Sequence, residues 1–305
     1  MMDVIGKECA DGHSFVLKNV PDKTHFDYSM DLYCKLDGSR HLRALHDTVP
    51  SDSVLVFPFL RDDLLKFACN DLSTACVKAV LNQGLHGIAE LHARGIVHPG
   101  VKPSNFFLDY HEADGKLALD KVQLSDLEDA RMLMPSEAVS GTLTGNELWR
   151  SPEAWAKGPL ALPSDMFSFW LVCLYVVLRR IVLAYTMEEL EMDEEKLRPE
   201  VIILHRQIFY FAEESSFAAF LEYLGDSPYR QIFEVLLGGF DDDSRREPVR
   251  LWSFVKDEDV KDLVAGLTDF DPRKRLTTDE ALKHRRFTAL NDDESHVDGD
   301  YFNGV

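Results

Sequence analysis

Apolar positions recur in short, strand-like bursts near the start of the chain and settle into helical spacing further on. Residues 13–20, HSFVLKNV, carry Phe15, Val16, Leu17 and Val20 around one lysine, which predicts a strand. In FDYSMDLYCKL, residues 26–36, Phe26, Met30 and Tyr33 share one face of a helix while Asp27 and Asp31 share another. SVLVFPFL, residues 53–60, predicts a second strand, with Pro58 at an edge or an end. From Ser73 onward Val77, Val80, Leu81, Ile88 and Leu91 trace a helical stripe, with Gly95 as its C-cap. A hairpin follows, with its tip at HEADGK and its return strand running through KVQLSDLED. Beyond residue 163 the spacing is helical. Ser164 is the expected N-cap of an apolar helix over 165–178, and Thr277 with Glu280 has the spacing of a capping box. EELEMDEEKLRPE, from Glu188, reads as an exposed acidic helix and loop, and residues 291–305 as an acidic, disordered tail. The pattern predicts a small β-containing part followed by a large helical one.

Composition narrows the function classes. The chain has 305 residues, 45% of them hydrophobic, enough for a substantial core. Its 53 acidic against 33 basic residues give a net charge of −20, which disfavours nucleic acid or a membrane as partner and leaves another protein as the expected one. Five scattered cysteines without a CxxC pair suit a reducing compartment, and MMDVIGKECADG lacks the apolar core of a signal peptide. The longest apolar run, MFSFWLVCLYVVL, stops at Arg179 and is too short to span a bilayer. The expected location is intracellular, cytoplasmic or nuclear.

Chemistry concentrates in IVHPGVKPSNFFLDY, residues 96–110, where a histidine, a lysine and an asparagine have the spacing of a phosphotransfer loop. Other segments join it in order: FVLK ending at Lys18, VFPFL at 56–60, SDLED at 125–129, GNELWRSPE at 145–153, SDMFSF from Ser164 and DPRKRLT at 271–277. Together they resemble a eukaryotic-type protein kinase domain of the Ser/Thr kind, over roughly residues 13–290. The overall pattern is also similar to divergent kinase-like proteins of filamentous fungi. The resemblance implies an α+β, bilobal fold with a small, truncated β-rich N-lobe over 1–60, lacking the first strand and the glycine-rich loop. A helical C-lobe would follow over 61–290.

The resemblance also implies roles. Lys18 would hold the nucleotide phosphates, with Phe57 in the gatekeeper place and Leu60 beside it in the hinge. Asp126 and Asn105 would hold Mg²⁺, Asn105 would also touch the nucleotide, and Lys102 would steady the transferring phosphate. His98, Glu153, Asp165 and Arg275 would be structural, Glu153 pairing with Arg275 and Asp165 holding the loop backbone. Phosphoryl transfer relies on positioning and on neutralising charge, which explains a lysine, a carboxylate and an amide converging.

The departures are as informative. Gly100 stands where the catalytic aspartate would be, and glycine cannot accept a proton. Pro99 replaces the arginine that would receive a phosphate on Ser140, Thr142 or Thr144, and Glu128 replaces a glycine beside the metal position. No GxGxxG precedes Lys18, and the helix after it offers that lysine only Asp27 or Asp31, both of short reach. A general base is worth about 10²–10⁴ in rate, so its loss alone leaves a slow enzyme. Loss of the phosphate-covering loop as well points to a pseudokinase, a binding or regulatory module with weak or absent ATP and Mg²⁺. The alternatives are a slow Ser/Thr kinase using Glu128 or Asp129 as base, and a small-molecule phosphotransferase of the same fold.

Overall fold

The computed structural model describes residues 4–8, 12–113, 115–134, 137–139, 141, 143–191, 198–240, 246, 248, 252 and 258–288. The expected tail, Ser140, Thr142 and part of the acidic run lie outside them. The chain divides into two compact units, Met1–Ala93 with Pro103–Ala130, and Arg94–Lys102 with Arg131–Val305.

The first unit is built on an antiparallel four-stranded sheet of order β1-β2-β4-β3. Its strands are β1 (Val4–Glu8), β2 (Ser14–Asn19), β3 (Asp47–Val49) and β4 (Val54–Pro58). The Lys18 segment is β2, and Pro58 ends β4, where a missing amide breaks no central ladder. Between β2 and β3 runs helix α1 (Lys23–Lys35), capped by Asp22, with Phe26, Leu32 and Tyr33 buried. The pairs Lys23–Asp27 and Asp31–Lys35 lace its outer face one turn apart.

A second sheet, of order β5-β7-β8, contains β5 (Asp62–Asp63), β7 (Phe106–Ala113) and β8 (Lys116–Leu124). β7 and β8 form the expected hairpin, with a register shift at Asp109/Tyr110. The short helix α2 (Leu64–Phe67) and the long helix α3 (Thr74–His92) belong to the same unit, and α3 packs along β8. Ser73 caps α3 by accepting from the Cys76 amide, and the C-cap is Ala93 rather than the expected Gly95, which lies two residues beyond at φ 67.

The second unit opens on β6 (Ile96–Val97), paired antiparallel with β9 (Arg131–Met132). Helices α4 (Pro152–Trp155), α5 (Leu162–Leu178), α6 (Met187–Glu191) and α7 (Pro199–Phe211) follow. Then come α8 (Glu214–Leu224), α9 (Tyr229–Gly238), α10 (Glu258–Thr268), α11 (Thr278–Lys283) and α12 (Arg285–Thr288). α5 is buried along nearly its whole length, Trp170 included, which accounts for the apolar run in the sequence. Phe217, Phe220, Phe233 and Phe270 form a cluster of mostly edge-on rings that binds α8, α9 and the end of α10. The Thr277–Glu280 capping box is present in full.

One boundary differs from the sequence reading. α5 begins a turn early, with Ala161 as N-cap and Pro163 in the first turn, where an N–H would lack a partner in any case. Ser164, expected as the cap, instead donates to Glu153 Oε1 at 2.6 Å and meets Ser151 Oγ at 3.0 Å.

Candidate active site

The residues expected at the site fall in both units. In the first, β2 sends Lys18 inward, and the single 3-10 turn Leu127–Asp129, which follows β8, is held beside α1. Three α1 side chains fix that turn. His25 Nε2 meets the Glu128 carbonyl at 2.9 Å, Tyr28 donates to the Ala130 carbonyl at 2.8 Å, and Tyr33 Oη accepts from the Leu127 amide at 3.4 Å. Asp126, just before the turn, sits in the left-handed region at φ 64.

The charged groups close on one another. Lys18 Nζ donates to Asp126 Oδ1, and Glu128 Oε2 lies 2.9 Å from the same ammonium. Asn105 Nδ2 donates to Asp126 Oδ2 at 3.2 Å, and the Asn105 carbonyl accepts from the Ser125 amide at 2.8 Å. Asp126 keeps 41% of its side chain exposed, whereas Glu128 keeps 2%. Burial works against the Lys18 ammonium, but Glu128 and Asp126 together outweigh it and raise its pKa. Burial pushes the Glu128 carboxyl up, against the pull of Lys18 and helped by the Asp126 charge. Burial, then the Glu128 charge, raises the Tyr33 phenol well above its ordinary value.

Phe57 and Leu60 are buried. The Phe57 ring packs edge-on against Tyr33 at 5.2 Å and lies under the Arg43 guanidinium at 5.1 Å. Arg43 in turn donates to the Pro58 carbonyl at 3.0 Å.

Asp27 and Asp31, the acids of short reach that the helix offers to Lys18, do not serve it. Both face lysines of their own helix, and the second carboxylate on Lys18 is Glu128. The motif offers Glu128 as a lost glycine or a substitute base, and the structure adds its pairing with Lys18. The usable signal was local: KTHFD and DLYCK already pair Asp27 and Asp31 at i,i+4.

The second unit holds the rest of the loop. The His98 amide donates to Asp165 Oδ2 at 2.9 Å, and both residues are buried. Pro99, Gly100 and Lys102 are half-buried, and Gly100 offers no side chain at the base position. Gly145, at φ 74, lies so close to Pro99 that a Cβ would overlap the Pro99 carbonyl oxygen. Arg150 fixes this segment by donating to the carbonyls of Thr144 and Gly145, both at 2.7 Å. Glu153 and Arg275 form a buried two-pronged pair, Nη1 to Oε1 at 2.7 Å and Nη2 to Oε2 at 3.1 Å. Arg275 also donates to the carbonyls of Pro163 and Asp269.

Among the described residues no three His, Cys, Asp or Glu side chains gather as a metal cluster. Asp126 with Asn105 offers one carboxylate and one amide. That set fits a magnesium ion that keeps most of its water and phosphate ligands.

Comparison with known proteins follows the same lines. The model of the Protein kinase domain family matches residues 35–287. The serine/threonine-protein kinase srb10 of Schizosaccharomyces pombe is 24% identical over 260 residues, 77% of this chain and 63% of that protein. Cyclin-dependent kinase F-1 of Oryza sativa subsp. japonica is 31% identical over 147 residues, 45% of this chain and 29% of that protein. The chain spans less than two thirds of the length of the curated relatives it matches. In the solved structures, the yeast RNA Pol II CTD kinase CTDK-1 complex superposes with a TM-score of 0.71 at 17% identity, covering 92% of this chain and 88% of that one. No helix among the described residues is long and apolar enough to cross a membrane.

Proposed function

The chain belongs to the protein kinase domain family, with its bilobal α+β fold, and we propose that it is a catalytically impaired member acting as a binding or regulatory module. The observation that carries this reading is Gly100, set in a loop whose backbone is tied at His98 to Asp165 and which has no carboxylate at the proton-accepting position. MgATP, when bound, would supply the transferable phosphoryl group and the metal charge that neutralises it. Lys18 would hold the phosphates, and Asp126 with Asn105 the metal. In the structure Lys18 and Asp126 pair with each other, so a nucleotide must first open that contact, which lowers its affinity.

Thermal unfolding with and without millimolar ATP and Mg²⁺ tests the proposal. Saturation at about 100 times the dissociation constant would stabilise by roughly 2.7 kcal/mol, a shift of several degrees for a chain of this size. The expected result is a shift well below that, together with no transfer of labelled phosphate to protein substrates. Phosphate transfer by the parent chain that disappears in Asp126→Ala would overturn it.

The competing reading is a slow Ser/Thr kinase, favoured by the convergence of Lys18, Asp126 and Asn105 in one unit. In that reading the base is Asp129, which is 72% exposed, rather than Glu128, which is buried on Lys18. A protein is the proposed partner, by analogy with the solved neighbour, a kinase within a complex.

A further inference from the structure

Glu128 stands in a turn between two candidate metal-site neighbours, Asp126 and Asp129, yet it faces away from solvent. Its side chain is 2% exposed, so an ionised carboxylate there needs a partner, and the cation it meets is Lys18 at 2.9 Å. No acidic side chain of α1 takes this role: Asp27 and Asp31 are spent on Lys23 and Lys35 at the surface. α1 instead grips the turn itself, through His25, Tyr28 and Tyr33.

We propose that Glu128 is the positioning residue for Lys18. From the turn after Asp126, it does the work an acidic residue of α1 would otherwise do. The ammonium is then fixed by two carboxylates of a single five-residue stretch, Asp126 to Ala130, and one turn sets the lysine, the metal-side carboxylate and the amide of Asn105 together. Helix α1 holds that turn, and the turn holds Lys18. In its functional consequence this inference rests on Lys18 being the phosphate-side cation; the pairing itself does not.

The test uses the full chain labelled with ¹⁵N-lysine and contains no nucleotide. An ammonium held by carboxylates exchanges slowly with water and gives its own side-chain ¹H–¹⁵N signal in the cold at mildly acidic pH. The Lys18 signal is assigned by its absence in Lys18→Met. It should persist in Asp27→Asn and Asp31→Asn, vanish in Glu128→Gln and return in Glu128→Asp. Survival of the signal in Glu128→Gln, or its loss in either α1 variant, overturns the proposal.

If Glu128→Gln does not fold, the pair Lys18→Met and Lys18→Met/Glu128→Met decides. The single variant strands a buried carboxylate and should lower the melting midpoint, and the double variant should recover at least half of that loss. No recovery overturns the proposal. A nucleotide that never shifts the parent's midpoint would remove the phosphate-side role of Lys18 and leave these outcomes unchanged.

Discussion

Each unit contains a close ion pair, and the pairs differ in how completely they are closed. Arg275 and Glu153 are 0% and 1% exposed, match one cation to one anion, and hand their spare donors and acceptors to Pro163, Asp269 and Ser164. Lys18 faces two carboxylates at once, one of them 41% open to solvent. A pair with every valence filled can only hold its surroundings in place. A cluster with a surplus of negative charge and an open side is still able to bind a cation or to rearrange. The first is closed on every side, and the second keeps an open one.

That contrast can be broken in graded steps. The largest effect is expected for Arg275→Met, which leaves Glu153 charged and buried; it should cost about 3–5 kcal/mol, read as a fall in the urea midpoint. Lys18→Met strands Glu128 beside a half-open Asp126 and should cost less, about 2 kcal/mol in the same measurement. An equal or larger loss for Lys18→Met would erase the distinction. Gly145→Ala combines a left-handed backbone with overlap on the Pro99 carbonyl, and should cost about 1–3 kcal/mol.

The smallest and sharpest difference lies in pH dependence, because the two buried glutamates have opposite signs. For Glu153, burial raises the pKa, but Arg275 and Ser164 outweigh it and the net shift is downward from 4.5. Its stabilisation is therefore present above pH 4.5 and is lost as pH falls through its lowered value. Glu128 is shifted upward from 4.5, so the folded state holds its proton longer and stability falls as pH rises from 4.5 through that raised value. Measured against the parent, Glu153→Gln should cost most at neutral pH and least in acid, and Glu128→Gln the reverse. Parallel profiles would show that the two carboxylates share one kind of environment.

Much of this was legible in the chain, and the exceptions have a common cause. Local signals carried well: Thr277 caps its helix with Glu280, the helix begins next to Ser73, Pro58 ends its strand, and β7 and β8 pair as the expected hairpin. In each case the energetics sit within a few residues of the signal. Asp126, Asn105 and Lys18 were named from motif order, and the structure brings them together. Ser164 misled because its hydroxyl had a better partner in Glu153, eleven residues away in sequence and invisible to a capping rule. Glu128 misled more deeply. Its partner lies 110 positions upstream on β2, and the motif, which offers Glu128 as a lost glycine or a base, carries no signal for that pairing.

The long hairpin has a practical meaning. β7 and β8 run on past their buried residues, so that His111, Glu112 and Ala113 on one strand, Gly115 in the turn and Lys116 on the other strand are exposed, with His111 and Asp120 joined at 2.8 Å. Chain added at such a tip threads through no core and leaves the ladder beneath it intact. The hairpin is thus a natural port for a fluorescent or affinity module, through which the protein could be followed or captured without touching either charged centre.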